Sequence, residues 1–207
     1  MTARRLVLVR HGETAGQSSV RYYGATDVPL SGLGERQMRR AGAALADERF
    51  DAVYSSRLRR ARLGAALVAA GHRPHALAAF DEIDFGRWEG LTREQIAARD
   101  PAHFARWEAA PDTFVYPDGE CRQAFHRRVV AGLDALLARA RGDQLLLVVH
   151  RGVIAVALTE LLGLSAAERR TLDIALGSIN VLRHDGAGWR AERINAVGHL
   201  DGVEATA

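Results

Sequence analysis

Residues 6–14 read Leu6-Val7-Leu8-Val9-Arg10-His11-Gly12-Glu13-Thr14, and this stretch decides the fold. Four apolar residues in a row suit a strand covered on both faces, and the polar residues after them suit the rim of a sheet. The strand delivers a histidine to that rim. Arg10 brings a fixed positive charge beside it, and Gly12 lets the backbone come close to a ligand. That combination suits a histidine that attacks phosphorus.

Working outward, apolar runs at 52–54 and 145–149 predict two more buried strands. Residues 178–183 and 189–194 predict a hairpin turning at Asp185-Gly186-Ala187-Gly188. Helical patterns lie between. Ser31 is placed to cap a helix with Glu35 in its first turn and Met38, Ala41, Ala44 and Leu45 on one face. Ser55 or Ser56 is placed to cap a helix through Leu58, Ala61, Ala65 and Leu67. Further helices fit 119–141, with Val129, Leu133, Leu136 and Leu137 inward, and 152–162. Strands alternating with helices predict an α/β fold whose sheet is covered on both faces. Residues 81–118, with Trp88, Trp107 and Pro111, predict a lid inserted into one domain spanning 1–207. The tail from Gly202 to Ala207 is expected to fray.

All 28 basic residues are arginine. The lack of lysine removes Schiff-base chemistry, pyridoxal-phosphate linkage and the Walker A mode of phosphate binding. The arginines are spread along the chain and balanced by carboxylates, so no nucleic-acid surface is predicted. No leader pattern and no run of ~18 apolar residues is present, and Cys121 is the single cysteine, so a cytoplasmic protein without membrane contact or disulfide is expected. A homodimer is left open. No HExxH or paired CxxC spacing predicts a metal.

Ligands of open α/β sheets bind beyond the carboxyl ends of the strands. Three such ends carry Arg10-His11-Gly12, then Tyr54-Ser55-Ser56 with Arg60 just into the next helix, then His150-Arg151-Gly152. Two histidines and two arginines therefore converge near a helix N-terminus, which favours phosphate. Cys121 and Arg127 have the C-x5-R spacing of cysteine phosphatases. The residues between them read as helix without the glycine-rich loop that chemistry needs, so that reading is set aside.

Residues 10–14 resemble the signature of the histidine phosphatase superfamily, the phosphoglycerate mutase-like family. The likeness continues through Arg21, Gly24, Asp27, Pro29-Leu30-Ser31, Tyr54 to Ala61, Glu82 to Gly90, Pro117 to Glu120 and Val148-Val149-His150. It implies a three-layer αβα sandwich with a mostly parallel central sheet. It further implies that His11 is the nucleophile forming a phosphohistidine and that His150 stabilises the transferring group. Arg10 and Arg60 would clamp the oxygens, and Glu82 would protonate the leaving group, with Asp81 and Asp84 as rivals for that role. Gln17, Tyr23, Gly24 and Arg151 join Arg10 and Arg60 as expected substrate contacts. Gln17 and Tyr23 depart from the family pattern. Arg151 stands where a small residue is usual, and its side chain is read as leaning to solvent. No cofactor is implied, and the partner is a small phosphate ester. The short lid resembles the phosphatase branch, including α-ribazole and broad-specificity phosphatases. A cofactor-dependent phosphoglycerate mutase and a catalytically degenerate phospho-ligand-binding protein are the alternatives.

Overall fold

A computed structural model describes residues 4–140 and 142–203; the expected fraying lies partly at 204–207, outside them. The opening run becomes β1 (Arg5–Arg10), and the other expected strands form β2 (Ala52–Ser55), β4 (Gln144–Val149), β5 (Ile179–His184) and β6 (Trp189–Ala196). A two-residue strand, β3 (His75–Ala76), was not expected, because both of its residues are exposed and no apolar run marks it. The sheet order is β3-β2-β4-β1-β5-β6. β1, β2, β3 and β4 run parallel, while β5 is antiparallel to β1 and β6 to β5.

Alternation along β1 builds the layers. Leu6 and Leu8 share a buried cluster with Phe125, Val129 and Leu133 of α5 (Arg122–Arg139) and Val153 and Ile154 of α6 (Arg151–Leu162). Val7 and Val9 face the other way, toward Met38 and Ala41 of α1 (Gly32–Ala44) and Ala65 and Val68 of α2 (Arg59–Val68). Helices thus cover both faces, giving three layers. Burying each such side chain contributes about 1.5–3 kcal/mol, and a one-residue slip would exchange the two faces. The register is therefore strongly specified.

The 81–118 segment carries a 3₁₀ turn (Gly86–Trp88), α3 (Arg93–Arg99) and α4 (Pro101–Ala109). Its Ile83, Trp88, Ile96, Phe114 and Tyr116 are buried in the same cluster as Leu6, so its inner side is part of the main core.

The helix starts needed correction in one place. Ser31 caps α1, its Oγ accepting from the Gly34 N–H as expected. Neither Ser55 nor Ser56 caps α2, which starts two or three residues later with Leu58 at the N-cap and no side-chain capping bond. The Ser56 hydroxyl is occupied elsewhere, as described below. Ala44 is exposed rather than inward, and Val68 takes the buried position next to the half-buried Leu67. Cys121, at the N-cap of α5, makes no side-chain capping bond. A short helix, α7 (Ala166–Thr171), was not foreseen, although Ser165 and Glu168 form its reciprocal capping box.

α6 ends at Gly163, whose φ of 64° is left-handed and whose missing Cβ would meet nothing within 4 Å. Any penalty for a side chain there is conformational rather than steric. Gly163→Ala should lower unfolding stability by about 1 kcal/mol without changing activity, as read by urea unfolding and phosphatase assay.

Candidate active site

β1 and β4 run parallel with Arg10 opposite Val149, so the next residue of each strand, His11 and His150, arrives at the same rim. The His11 N–H donates to the Val149 carbonyl at 2.9 Å, and the two imidazole centroids lie 5.1 Å apart. Both rings are buried.

His11 Nδ1 lies 2.7 Å from the Gly12 carbonyl. A carbonyl can only accept, so Nδ1 carries the proton and the lone pair of the neutral ring sits on Nε2. Burial, then the Arg60 and Arg10 charges, hold the His11 pKa well below its usual value. Burial, then Arg60, His11 and Arg10, do the same to His150. Both rings are therefore neutral at pH 7. His150 Nε2 lies 2.7 Å from the Ser56 hydroxyl, which also accepts from the Leu58 N–H at 3.3 Å. With that hydroxyl donating to Nε2, the proton of the neutral His150 ring sits on Nδ1, a buried atom without a protein partner.

The arginines are held by backbone carbonyls. Arg60, fully buried as the second residue of α2, donates from Nη1 to Thr26 (2.8 Å) and from Nη2 to Tyr23 (3.2 Å) and Gly24 (2.6 Å). Arg10 donates from Nη1 to the Ile174 carbonyl at 2.7 Å. Burial lowers both pKa values, that of Arg10 to about 10, which leaves it protonated at neutral pH. The Nε atoms of Arg10 and Arg60 are buried without protein partners, like His150 Nδ1. Leaving a buried donor unpaired costs about 1–3 kcal/mol. Three such donors around two neutral imidazoles make a site whose unmet need is an anion.

Glu82 completes the group. Its carboxylate is buried and takes the Ile83 and Gly152 N–H groups, each at 3.0 Å, which anchors it to the first turn of α6. A Cβ on Gly152 would stand 2.4 Å from the Glu82 carboxylate, so a side chain there would displace that carboxyl group from the Gly152 N–H. The rival Asp81 is instead engaged by Arg57, and Asp84 by the Gly86 N–H.

Arg10, His11 and Glu82 open into a cavity of about 580 Å³ whose far walls include Tyr22, Phe85 and Trp107. Tyr23 and Arg151 line it as expected, with Arg151 exposed and reaching the Leu172 carbonyl at 3.3 Å. Gln17 and Gly24 do not line it, and neither do the expected site residues Arg60 and His150, both of which are fully buried. Gln17 is exposed with a left-handed φ of 63°. Gly24 serves packing: a Cβ there would lie 1.7 Å from the Ile83 carbonyl oxygen. Gly12 also turns out to be a packing residue, since its Cβ would meet the Gly34 backbone oxygen at 2.4 Å at the start of α1. Sequence reasoning missed the Ser56 bond to His150; the only signal was a hydroxyl at a strand end, which was read as a helix cap. Among the described residues no cluster of three or more His, Cys, Asp or Glu could hold a metal, and no helix is long and apolar enough to cross a membrane.

Neutral burial of the two rings has a consequence for stability. Unfolded histidines titrate near 6.5, so below that pH the unfolded chain binds protons that the folded chain refuses, and stability falls. Each ring should contribute a loss of up to about 1.4 kcal/mol per pH unit below about 6.5. Urea unfolding at pH 7.5, 6.5 and 5.5 should show this decline, and His150→Gln should make it shallower; an equal slope in that variant would mean that His150 is solvated.

The chain matches the model of the histidine phosphatase superfamily (branch 1) over residues 6–197. It is 36% identical over 165 residues to an adenosylcobalamin/alpha-ribazole phosphatase of Salmonella typhimurium, covering 79% of this chain and 82% of that one. It is 29% identical to phosphoserine phosphatase 1 of Hydrogenobacter thermophilus, covering 95% and 94%. The crystal structure of the alpha-ribazole phosphatase from Shigella flexneri superposes with a TM-score of 0.85 at 27% identity, over 93% of this chain and 96% of that one. With its paired histidines and the arginines Arg10 and Arg60 at the sheet edge, the chain belongs to the histidine phosphatase superfamily, branch 1, and is a phosphatase.

Proposed function

We propose that this phosphatase hydrolyses a small phosphomonoester through a phosphohistidine on His11, without a metal. The observation that carries the reading is the bond from His11 Nδ1 to the Gly12 carbonyl, which leaves the lone pair of a buried ring on Nε2, with the His150 ring 5.1 Å away between centroids. In the first step Nε2 attacks phosphorus, a P–N bond forms, and the P–O bond to the alcohol breaks. Glu82 gives a proton to the departing oxygen, so that the alcohol leaves neutral. In the second step water attacks the phosphohistidine, Glu82 takes a proton from that water, and inorganic phosphate leaves His11 neutral again.

The non-bridging oxygens meet Arg10, Arg60 and His150 Nδ1. Phosphoryl transfer asks a protein chiefly for positioning and charge stabilisation. Two guanidinium groups fixed by carbonyls, that of Arg60 fully buried, supply both, in the role that divalent cations fill elsewhere. The aromatic wall of Tyr22, Phe85 and Trp107 offers the leaving group an apolar surface. Together with the α-ribazole phosphatase relatives, this favours an alcohol carrying a flat ring. The 81–118 segment is assigned as the cover of the site, its core side fixed by Trp88 and its outer residues free to shape specificity.

In buffer containing EDTA, the wild-type protein should release phosphate from p-nitrophenyl phosphate and from α-ribazole 5′-phosphate, and an acid-labile phosphoenzyme should be trapped by rapid quench. His11→Ala should lose more than about 10³-fold in turnover and trap nothing. A phosphoenzyme persisting in that variant would move the nucleophile elsewhere. Glu82→Gln should slow alkyl phosphates by about 10²–10⁴-fold and p-nitrophenyl phosphate much less, because nitrophenolate leaves without a proton. Equal slowing of both substrates would assign the acid to another residue.

A further inference from the structure

We propose that Glu89 is a positioning residue of the phosphate clamp, acting on Arg60 through two peptide groups of the 23–25 loop. This rests on the reading of Arg60 as an oxygen-binding group.

Glu89 follows the 3₁₀ turn at Gly86–Trp88. Its carboxylate accepts four backbone N–H groups: Gly24 at 3.0 Å to each oxygen, Ala25 at 3.0 Å, Thr26 at 3.3 Å and Phe85 at 3.1 Å. Three of these donors belong to the loop whose carbonyls hold Arg60. The pairing is closer than shared membership of a loop. The Tyr23 carbonyl and the Gly24 N–H are the two ends of one peptide group, and the Gly24 carbonyl and the Ala25 N–H are the ends of the next. Each of these groups gives its N–H to Glu89 and its oxygen to Arg60 Nη2. Two peptide dipoles, each about 3.5 D, thus stand in line between an anion and a cation, negative end toward the guanidinium.

Glu89 makes no direct ion pair among the described residues. Its field nonetheless reaches Arg60, where it is second to Glu82 among the carboxylates that favour the charged guanidinium. The arrangement answers two needs at once. It supplies acceptors for a loop without regular structure, and it polarises the carbonyls that hold a cation with no carboxylate of its own. It also fixes the direction in which the unbonded Nε–H of Arg60 points, because Nη1 and Nη2 are both tied down. Gly24 belongs to the same device: its Cβ would stand 2.8 Å from the Glu89 carboxylate.

A purely structural staple would stabilise the loop without changing how the site holds phosphate. The two are separated by a double-mutant cycle. Glu89→Gln keeps the size of the side chain but removes its charge and puts a donor among donors. It should lower kcat/KM for p-nitrophenyl phosphate about 10–100-fold and weaken inhibition by orthovanadate by a similar factor, the range typical of residues that orient a catalytic group. Arg60→Ala should be impaired more, and adding Glu89→Gln to it should change kcat/KM by less than about twofold. Multiplying effects in the double variant would overturn the proposal while leaving Arg60 as an oxygen-binding group. So would a Glu89→Gln protein with reduced thermal stability but wild-type kcat/KM and vanadate inhibition. An unimpaired Arg60→Ala would overturn the reading of the clamp and the proposal with it. If Glu89→Gln does not fold, Glu89→Asp enters the same cycle, keeping the charge but withdrawing it by one methylene, with the same outcomes expected.

Discussion

The site depends on holding two positive charges, Arg60 fully buried and Arg10 half-buried, on backbone carbonyls rather than on carboxylates. Burying a guanidinium is expensive unless its donors are met. Arg60 meets that demand with three carbonyls from a single loop, and Arg10 with the Ile174 carbonyl. Carbonyls satisfy donors without cancelling the net charge, so both arginines keep their pull on an anion.

The same two charges set the state of the imidazoles. A positive field and burial both oppose protonation, so His11 and His150 stay neutral where solvated histidines would be partly charged. Neutrality is what a nucleophile needs, and the Gly12 carbonyl chooses which nitrogen is free. In the proposed mechanism, one arrangement of charge both prepares the attacking atom and receives the oxygens of the group it attacks.

Most of this was legible along the chain because it sits where regular elements end. Apolar runs followed by Arg-His-Gly and His-Arg-Gly mark two strand ends, and parallel pairing in register makes them neighbours. Arg60 was marked by its place just past the end of β2, among three other arginines at 57–62 that have the same local look, and Glu82 was singled out from Asp81 and Asp84 by resemblance. Ser56, Glu89 and the glycines were hidden or misread. Ser56 reaches a partner 94 residues away, and Glu89 holds a loop 65 residues back, distances at which no local periodicity speaks. Gly12 was assigned to ligand approach, whereas the backbone of Gly34 is what crowds it.

The amino-acid order by itself determined the alternation of strands and helices, the two-faced burial of β1 and the delivery of both histidines to one rim, because hydrophobic period and strand ends are local properties. Only tertiary structure decided which serine holds His150, which carboxylate lies at the first turn of α6, and how an acidic side chain supports a distant arginine through the peptide groups between them. Hydrogen bonds across long separations depend on distances of a few tenths of an ångström. Those are set by how the layers pack rather than by any residue's neighbours in the chain.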